Sequence, residues 1–242
     1  MTARILRFPS DTDLVEEAAR MLLNHLVQRQ EHQAQVHLCL TGGRIANRIY
    51  AAFAELAGET GFDAATLHLW WGDEQFVGTT DPDRNALQSL ALLARSLQLK
   101  SAQIHPMPAS DGNADPDESA FTYAQELGDT VFDLCLLGMG PDGHVASIFP
   151  DHPSSDPTTL SVIGVTDAPK PPAERISLTL STISRSRSVW LWVNGSEKAE
   201  AVAHALAGDE RVPAAHASGV ESTIWFLDAE AARLLPRHRC EL

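Results

Sequence analysis

Asp142 and His144 stand two residues apart in the run G-M-G-P-D-G-H, Gly138 to His144. An imidazole can take and return a proton near neutrality, and a carboxylate beside it can orient the ring, so the pair suits general acid–base catalysis. Gly138, Gly140 and Gly143 let the backbone turn sharply and approach a ligand closely. The residues before them, Val131 to Leu137, are almost continuously apolar, as in a strand covered on both faces of a parallel sheet. Open α/β sheets hold ligands at the carboxyl ends of such strands. The same run also fits a G-x-G-x-x-G dinucleotide fingerprint, with Asp167 near the offset of a ribose-binding acid. Pro141, Asp142 and His144 crowd a turn that should offer a pyrophosphate little but amides, which favours the acid–base reading.

A second candidate is Thr41-Gly42-Gly43, between the apolar run Val36–Leu40 and a helical pattern that opens at Arg44. Free amides and the positive end of a helix dipole make such a turn an anion site, to which the Thr41 hydroxyl and Arg44 guanidinium could add. The plainer alternative is a tight turn that needs glycine for sterics alone. Asp73 and Glu74 close a tryptophan-rich strand and read either as a helix cap or as ligand contacts. Lys198 falls in the first turn of a helix beginning at Ser196, where the dipole disfavours a cation unless an anion meets it. Arg175 opens the alternating run R-I-S-L-T-L. In a parallel sheet that places it at the wrong end, so it reaches the site only if its strand runs antiparallel or the sheet edge curls round.

The elements that must position these residues follow from periodicity. Helices are expected over 10–31, with Asp13 and Glu16 in capping-box spacing, and over 44–59, 81–97, 118–127, 196–207 and 229–235. Strands are expected over 36–40, 66–72, 131–137, 160–165, 175–180, 188–195 and 223–228. Residues 104–117 read as a loop, and 167–173, with three prolines, as an exposed segment that could lie over the site. The alternation implies a single α/β domain over 1–242, with a predominantly parallel, helix-covered, Rossmann-like sheet.

Thirty-two acidic against eighteen basic residues leave the 242-residue chain at -14, which disfavours nucleic acid and anionic membranes as partners and points to a small molecule. Cys39, Cys135 and Cys240 are odd in number, and two fall in apolar strands. With no signal-like N-terminus and no long apolar run, a cytoplasmic monomer or small homo-oligomer is expected. Ten histidines include no H-E-x-x-H, and no C-x-x-C accompanies them, so neither metal nor cofactor is expected.

The stretch Gly138 to Pro150 closely resembles the G-M-G-x-D-G-H-x-A-S-L-F-P signature of 6-phosphogluconolactonases, in the sugar-phosphate isomerase/deaminase superfamily. Asp73-Glu74 resembles the family's W-x-D-E-R segment, Arg175–Leu180 its R-I-T-L-T strand and Asn194–Ala199 its G-x-x-K-A turn. The resemblance implies hydrolysis of 6-phospho-D-glucono-1,5-lactone, with His144 as general base and Asp142 as its partner. It also implies substrate contacts at Thr41, Gly42, Gly43, Arg44, Asp73, Glu74, Gly140, Gly143, Arg175 and Lys198, the phosphate being held by the Thr41-Gly42-Gly43 amides with Arg175 and Lys198. Amides of the glycine turns are the expected oxyanion donors. Two departures stand out. The family's S-G-G-S-T-P turn is here Thr41 to Ala46, and its D-E-R arginine is Gln75, a charge that Arg84 could restore. The deaminases continue D-G-H with F-N-E-P where this chain has Ser147 to Pro150, which disfavours a deaminase or isomerase. A non-catalytic sugar-phosphate sensor remains the other alternative.

Overall fold

The computed structural model describes residues 3–112 and 115–236. Cys240 lies outside the described residues. Seven strands form the main sheet: β1 (Arg4–Phe8), β2 (Val36–Leu40), β3 (Leu67–Trp71), β5 (Ile104–His105), β6 (Leu134–Gly138), β9 (Ser188–Val193) and β10 (Ser222–Asp228). Their order is β1-β10-β9-β6-β2-β3-β5, and every pairing is parallel. A separate antiparallel sheet has the order β4-β8-β7, from β4 (Asp73–Gln75), β7 (Val162–Val165) and β8 (Arg175–Leu178).

The continuous apolar runs of β2, β6 and β9 have a direct cause. Leu38, Leu40, Leu134, Leu136, Trp190 and Trp192 face one core, which α1 (Asp11–Gln30) and α2 (Arg44–Thr60) cover. Cys39, Cys135, Leu137, Leu191 and Val193 face a second core on the other side, covered in part by α4 (Pro116–Leu127) and α6 (Ala199–Leu206). Period-two alternation in a sheet buried on both faces leaves polar residues, such as His37 and Ser188, only near the strand starts.

From β2 the chain winds outward through β3 to β5, and from β6 the other way through β9 to β10. The boundary between β2 and β6 is therefore the topological switch point, where such sheets open a crevice at their carboxyl edge.

Several expectations are corrected. β1 lies in a stretch for which no element was expected; it is an edge strand on β10. The capping pair of α1 is Ser10 with Asp13, the Ser10 Oγ accepting from the Asp13 amide at 3.1 Å. The strand expected over 66–72 stops at Trp71, and Asp73–Gln75 cross into the second sheet. The helix that was expected to start near Asp81 is α3 (Asn85–Leu93). The helix expected over 229–235 is a series of turns: the Asp228 carboxylate accepts from the Ala231 and Gly195 amides, and Pro236 follows too soon for regular helix to propagate.

Candidate active site

Thr41, after β2, and Gly138, at the end of β6, meet across the switch point: the Gly138 amide donates to Thr41 Oγ1 at 3.2 Å. Buried Tyr50 of α2 holds the Thr41 backbone from beneath, its hydroxyl accepting from the Thr41 amide at 3.0 Å and donating to the Thr41 carbonyl at 2.9 Å. Gly42 passes so close to the Asn85 side chain that a Cβ would collide with it, and Gly43 has φ 106°, a conformation that favours glycine. The Gly42 and Gly43 amides, just before the start of α2, meet no acceptor among the described residues.

A cavity of about 630 Å³ opens here, within the usual range for small-molecule sites. It brings together His144, Thr41, Gly42, Gly43, Arg44, Asp73, Gly140, Arg175 and Lys198, so nine of the twelve expected site residues share one wall. His144 Nδ1 lies 2.5 Å from Asp142 Oδ1. Burial alone would raise the Asp142 carboxyl, but the hydrogen bond and charge of His144 and the Lys170 ammonium 3.8 Å away outweigh it and bring the pKa to about 2. Ionised Asp142 only accepts, so Nδ1 of a neutral His144 carries the proton and Nε2 keeps its lone pair. Gly140 has no room for a Cβ beside the His144 ring. Gly143 adopts φ 84°, faces Val212 and stays behind the wall, shaping the turn without lining the cavity.

Asp73 borders the cavity with its carboxylate on Ser147 Oγ at 2.8 Å, and burial raises its pKa against the pull of Ser147, Arg175 and His144. Glu74 turns away: its oxygens accept from the Asn85 and Ala86 amides at 2.7 and 2.9 Å and cap α3. Arg84 also faces away, donating to the Met107 carbonyl at 2.6 Å with Glu74 at 3.8 Å, so it does not restore a charge beside Gln75. Gln75 itself lines the cavity, and its Oε1 is buried without a partner among the described residues.

Arg175 reaches the cavity because β8 runs antiparallel to β4, with Arg175 opposite Gln75. Its Nε and Nη2 bond the carbonyls of Pro172, Lys170 and Pro171 at 3.1, 3.2 and 3.3 Å. The expected phosphate ligand is thus engaged with the proline-rich segment, and that segment brings Lys170 into the cavity. Lys198 precedes α6 at the end of a 3₁₀ turn. Burial holds its ammonium below the usual lysine range; Glu197 opposes the shift, while Lys170 and Arg44 add to it. Five basic residues, Arg44, Arg48, Lys170, Arg175 and Lys198, line the cavity against three acids, Asp11, Asp73 and Glu197, in a chain whose net charge is -14. Arg48 is paired with Asp11 at 2.5 Å.

Asn85, Lys170 and Asn194 are cavity residues absent from the expected set. Asn85 was visible only as the neighbour of Arg84, and Lys170 only as part of a segment that could cover the site. Among the described residues, no group of three or more His, Cys, Asp or Glu side chains is arranged to hold a metal ion. No described helix is long and apolar enough to cross a membrane.

The model of the glucosamine-6-phosphate isomerases/6-phosphogluconolactonase family matches residues 9–225. The 6-phosphogluconolactonase of Streptomyces coelicolor is 44% identical over 93% of this chain and 91% of its own. A 6-phosphogluconolactonase from Thermotoga maritima shares the fold at a TM-score of 0.84 and 24% identity, covering 94% of this chain and 100% of that one. A monomeric glucosamine-6-phosphate deaminase shares it at 0.79 and 21% identity, covering 96% and 99%, so the fold alone does not fix the reaction. On the family match and the identity to the Streptomyces protein, the chain belongs to the glucosamine-6-phosphate isomerase/6-phosphogluconolactonase family.

Proposed function

We propose that the protein hydrolyses 6-phospho-D-glucono-1,5-lactone to 6-phosphogluconate, the second step of the oxidative pentose phosphate pathway, with His144 as general base. The observation that carries this reading is the His144 ring, held by ionised Asp142 with Nε2 free, on the wall of a cavity lined with cations. Nε2 takes a proton from water as the water oxygen bonds C1. When the C1–ring oxygen bond breaks, the same nitrogen returns a proton to the departing oxygen. The free Gly42 and Gly43 amides, Arg44 and Lys198 suit the phosphate, whose charge relieves the crowding of the cations around Lys198. The orphaned Gln75 Oε1 suits a sugar hydroxyl. The scheme uses no metal ion.

The loop after His144 favours this over amino-sugar chemistry, because Ala146-Ser147-Ile148-Phe149 supplies no carboxylate. The test is lactone generated in place by glucose-6-phosphate dehydrogenase, with acid release followed directly. The wild-type chain is expected to accelerate release, and His144→Ala to lower kcat by roughly 10²–10⁴. Spontaneous decay unchanged by the wild type, with phosphogluconate still bound, points instead to a sensor.

A further inference from the structure

Lactone hydrolysis puts negative charge on the carbonyl oxygen in the transition state, and a preorganised donor must face it. The glycine amides of the turn beside His144 are already engaged. The Gly140 amide donates to the His144 carbonyl at 3.0 Å, the Gly143 amide to the Gly140 carbonyl at 3.0 Å and the Gly138 amide to Thr41 Oγ1, while Pro141 has no N–H. Gln75 brings no charge either.

One cation stands next to the catalytic pair: Lys170, which lines the cavity and whose Nζ lies 3.8 Å from Asp142 Oδ1. Its placement is built rather than incidental. Arg175 is nine-tenths buried, packs its guanidinium 5.8 Å from the centre of the Phe149 ring, and ties down the carbonyls of Lys170, Pro171 and Pro172. Phe149 in turn lies 4.7 Å from the His144 ring, so one aromatic side chain sets the spacing between base and clamp.

We propose that Lys170 is the catalytic cation that receives the developing oxyanion, and that Arg175 is its positioning residue, which fixes the strap carrying it. The proposal rests on the lactonase reading. As water adds to C1, the carbonyl electron pair moves onto the exocyclic oxygen opposite the ammonium. Its return expels the ring oxygen, which takes the proton held by His144. No oxidant, reductant or further reactant enters.

The test compares Lys170→Met, Arg175→Lys and the double variant by kcat, KM and inhibition by 6-phosphogluconate, with thermal melts to confirm folding. Lys170 is exposed enough for its replacement to leave the fold intact. Its loss should lower kcat about 10²-fold, as removal of an oxyanion donor does, with KM and product inhibition within about twofold. Arg175→Lys keeps a charge at the site but cannot hold three carbonyls, and should lower kcat about tenfold without weakening product inhibition. The double variant should be no worse than Lys170→Met, because both act through one group. An unchanged kcat in Lys170→Met overturns the assignment. A raised KM and weakened product inhibition in Arg175→Lys, with losses that multiply in the double variant, makes Arg175 a phosphate ligand instead. A wild-type chain inert towards lactone sinks the lactonase reading as well, whereas an active wild type with either of the other outcomes sinks only this one.

Discussion

A carboxyl with its pKa near 2 is ionised throughout the range in which an enzyme of this kind works, and that fixes what Asp142 can do. It offers His144 two lone pairs and no proton, which commits Nδ1 to donating and Nε2 to accepting. Asp142→Asn keeps the shape but also offers an N–H, so a fraction of the rings turn to the other tautomer and the ion pair with the imidazolium is lost. The expected result is a fall in kcat of roughly 10²-fold or more with product affinity nearly unchanged, read by steady-state kinetics beside product inhibition. An equal loss in both would make Asp142 a substrate contact.

Glu74 shows how an element can claim a residue that its neighbours in sequence seem to assign to the site. Burial pushes its carboxyl up to about 7, against the bonds from the Ala86 and Asn85 amides and the charge of Arg84. A folded-state pKa above the usual 4.5 means that the group's contribution to stability is complete below about 4.5 and is lost as pH rises through about 7. Glu74→Gln, neutral at every pH but with one acceptor oxygen instead of two for the Asn85 and Ala86 amides, should therefore melt below the wild type near pH 4.5 and lose less stability than it up to pH 8. Parallel melting curves would leave the burial argument without support. Side-chain type and strand-end position announced Asp73 and Glu74 equally. Only the return of α3 onto the end of β4 separates them, and that contact is not local. The same division runs through the whole reading. Strands β2, β6 and β9 were legible because burial on both faces demands unbroken apolar runs. The rim residues Thr41, Gly43 and His144 were legible because several glycine turns fall at strand carboxyl ends, where open α/β sheets hold their ligands. β1 was not, since R-I-L-R-F is a short, mixed run whose pairing lies at the far end of the chain. Ala229–Leu235 has good helix formers and an Asp228 cap, yet Pro236 follows too soon for a regular helix to propagate. Lys170 was illegible as a site residue because the bonds that place it come from Arg175, and the direction of that strand is set by pairing to β4 and β7.

Across the molecule, negative charge is spread over the surface while five cations gather at one mouth, so an anionic ligand is drawn to that mouth against the net field. Stability on the acid side has a separate source. His25 of α1 packs edge-on to Trp190, with ring centres 5.3 Å apart, and its Nε2 is buried without a partner among the described residues. Burial, then the charge of Arg29, lowers its pKa from 6.5 to about 4. A depressed folded-state value means stability present above 6.5 and lost as pH falls through 4, by at most about 1.4 kcal/mol per pH unit. His25→Phe should flatten the melting curve over that window, and an unchanged slope would assign the acid sensitivity elsewhere.

The pairing of β1 with β10 also bears on how the molecule is made. Residues 4–8 leave the ribosome well before their partner, 222–228. β1 must therefore wait, unpaired, until β10 has been made, while the half of the sheet that runs from β2 to β5 has its full complement of strands earlier. During translation the glycine-turn side of the crevice can form well before the side that carries His144 and Lys198. A nascent chain is thus half a binding site until the later strands follow, and competence arrives only with them.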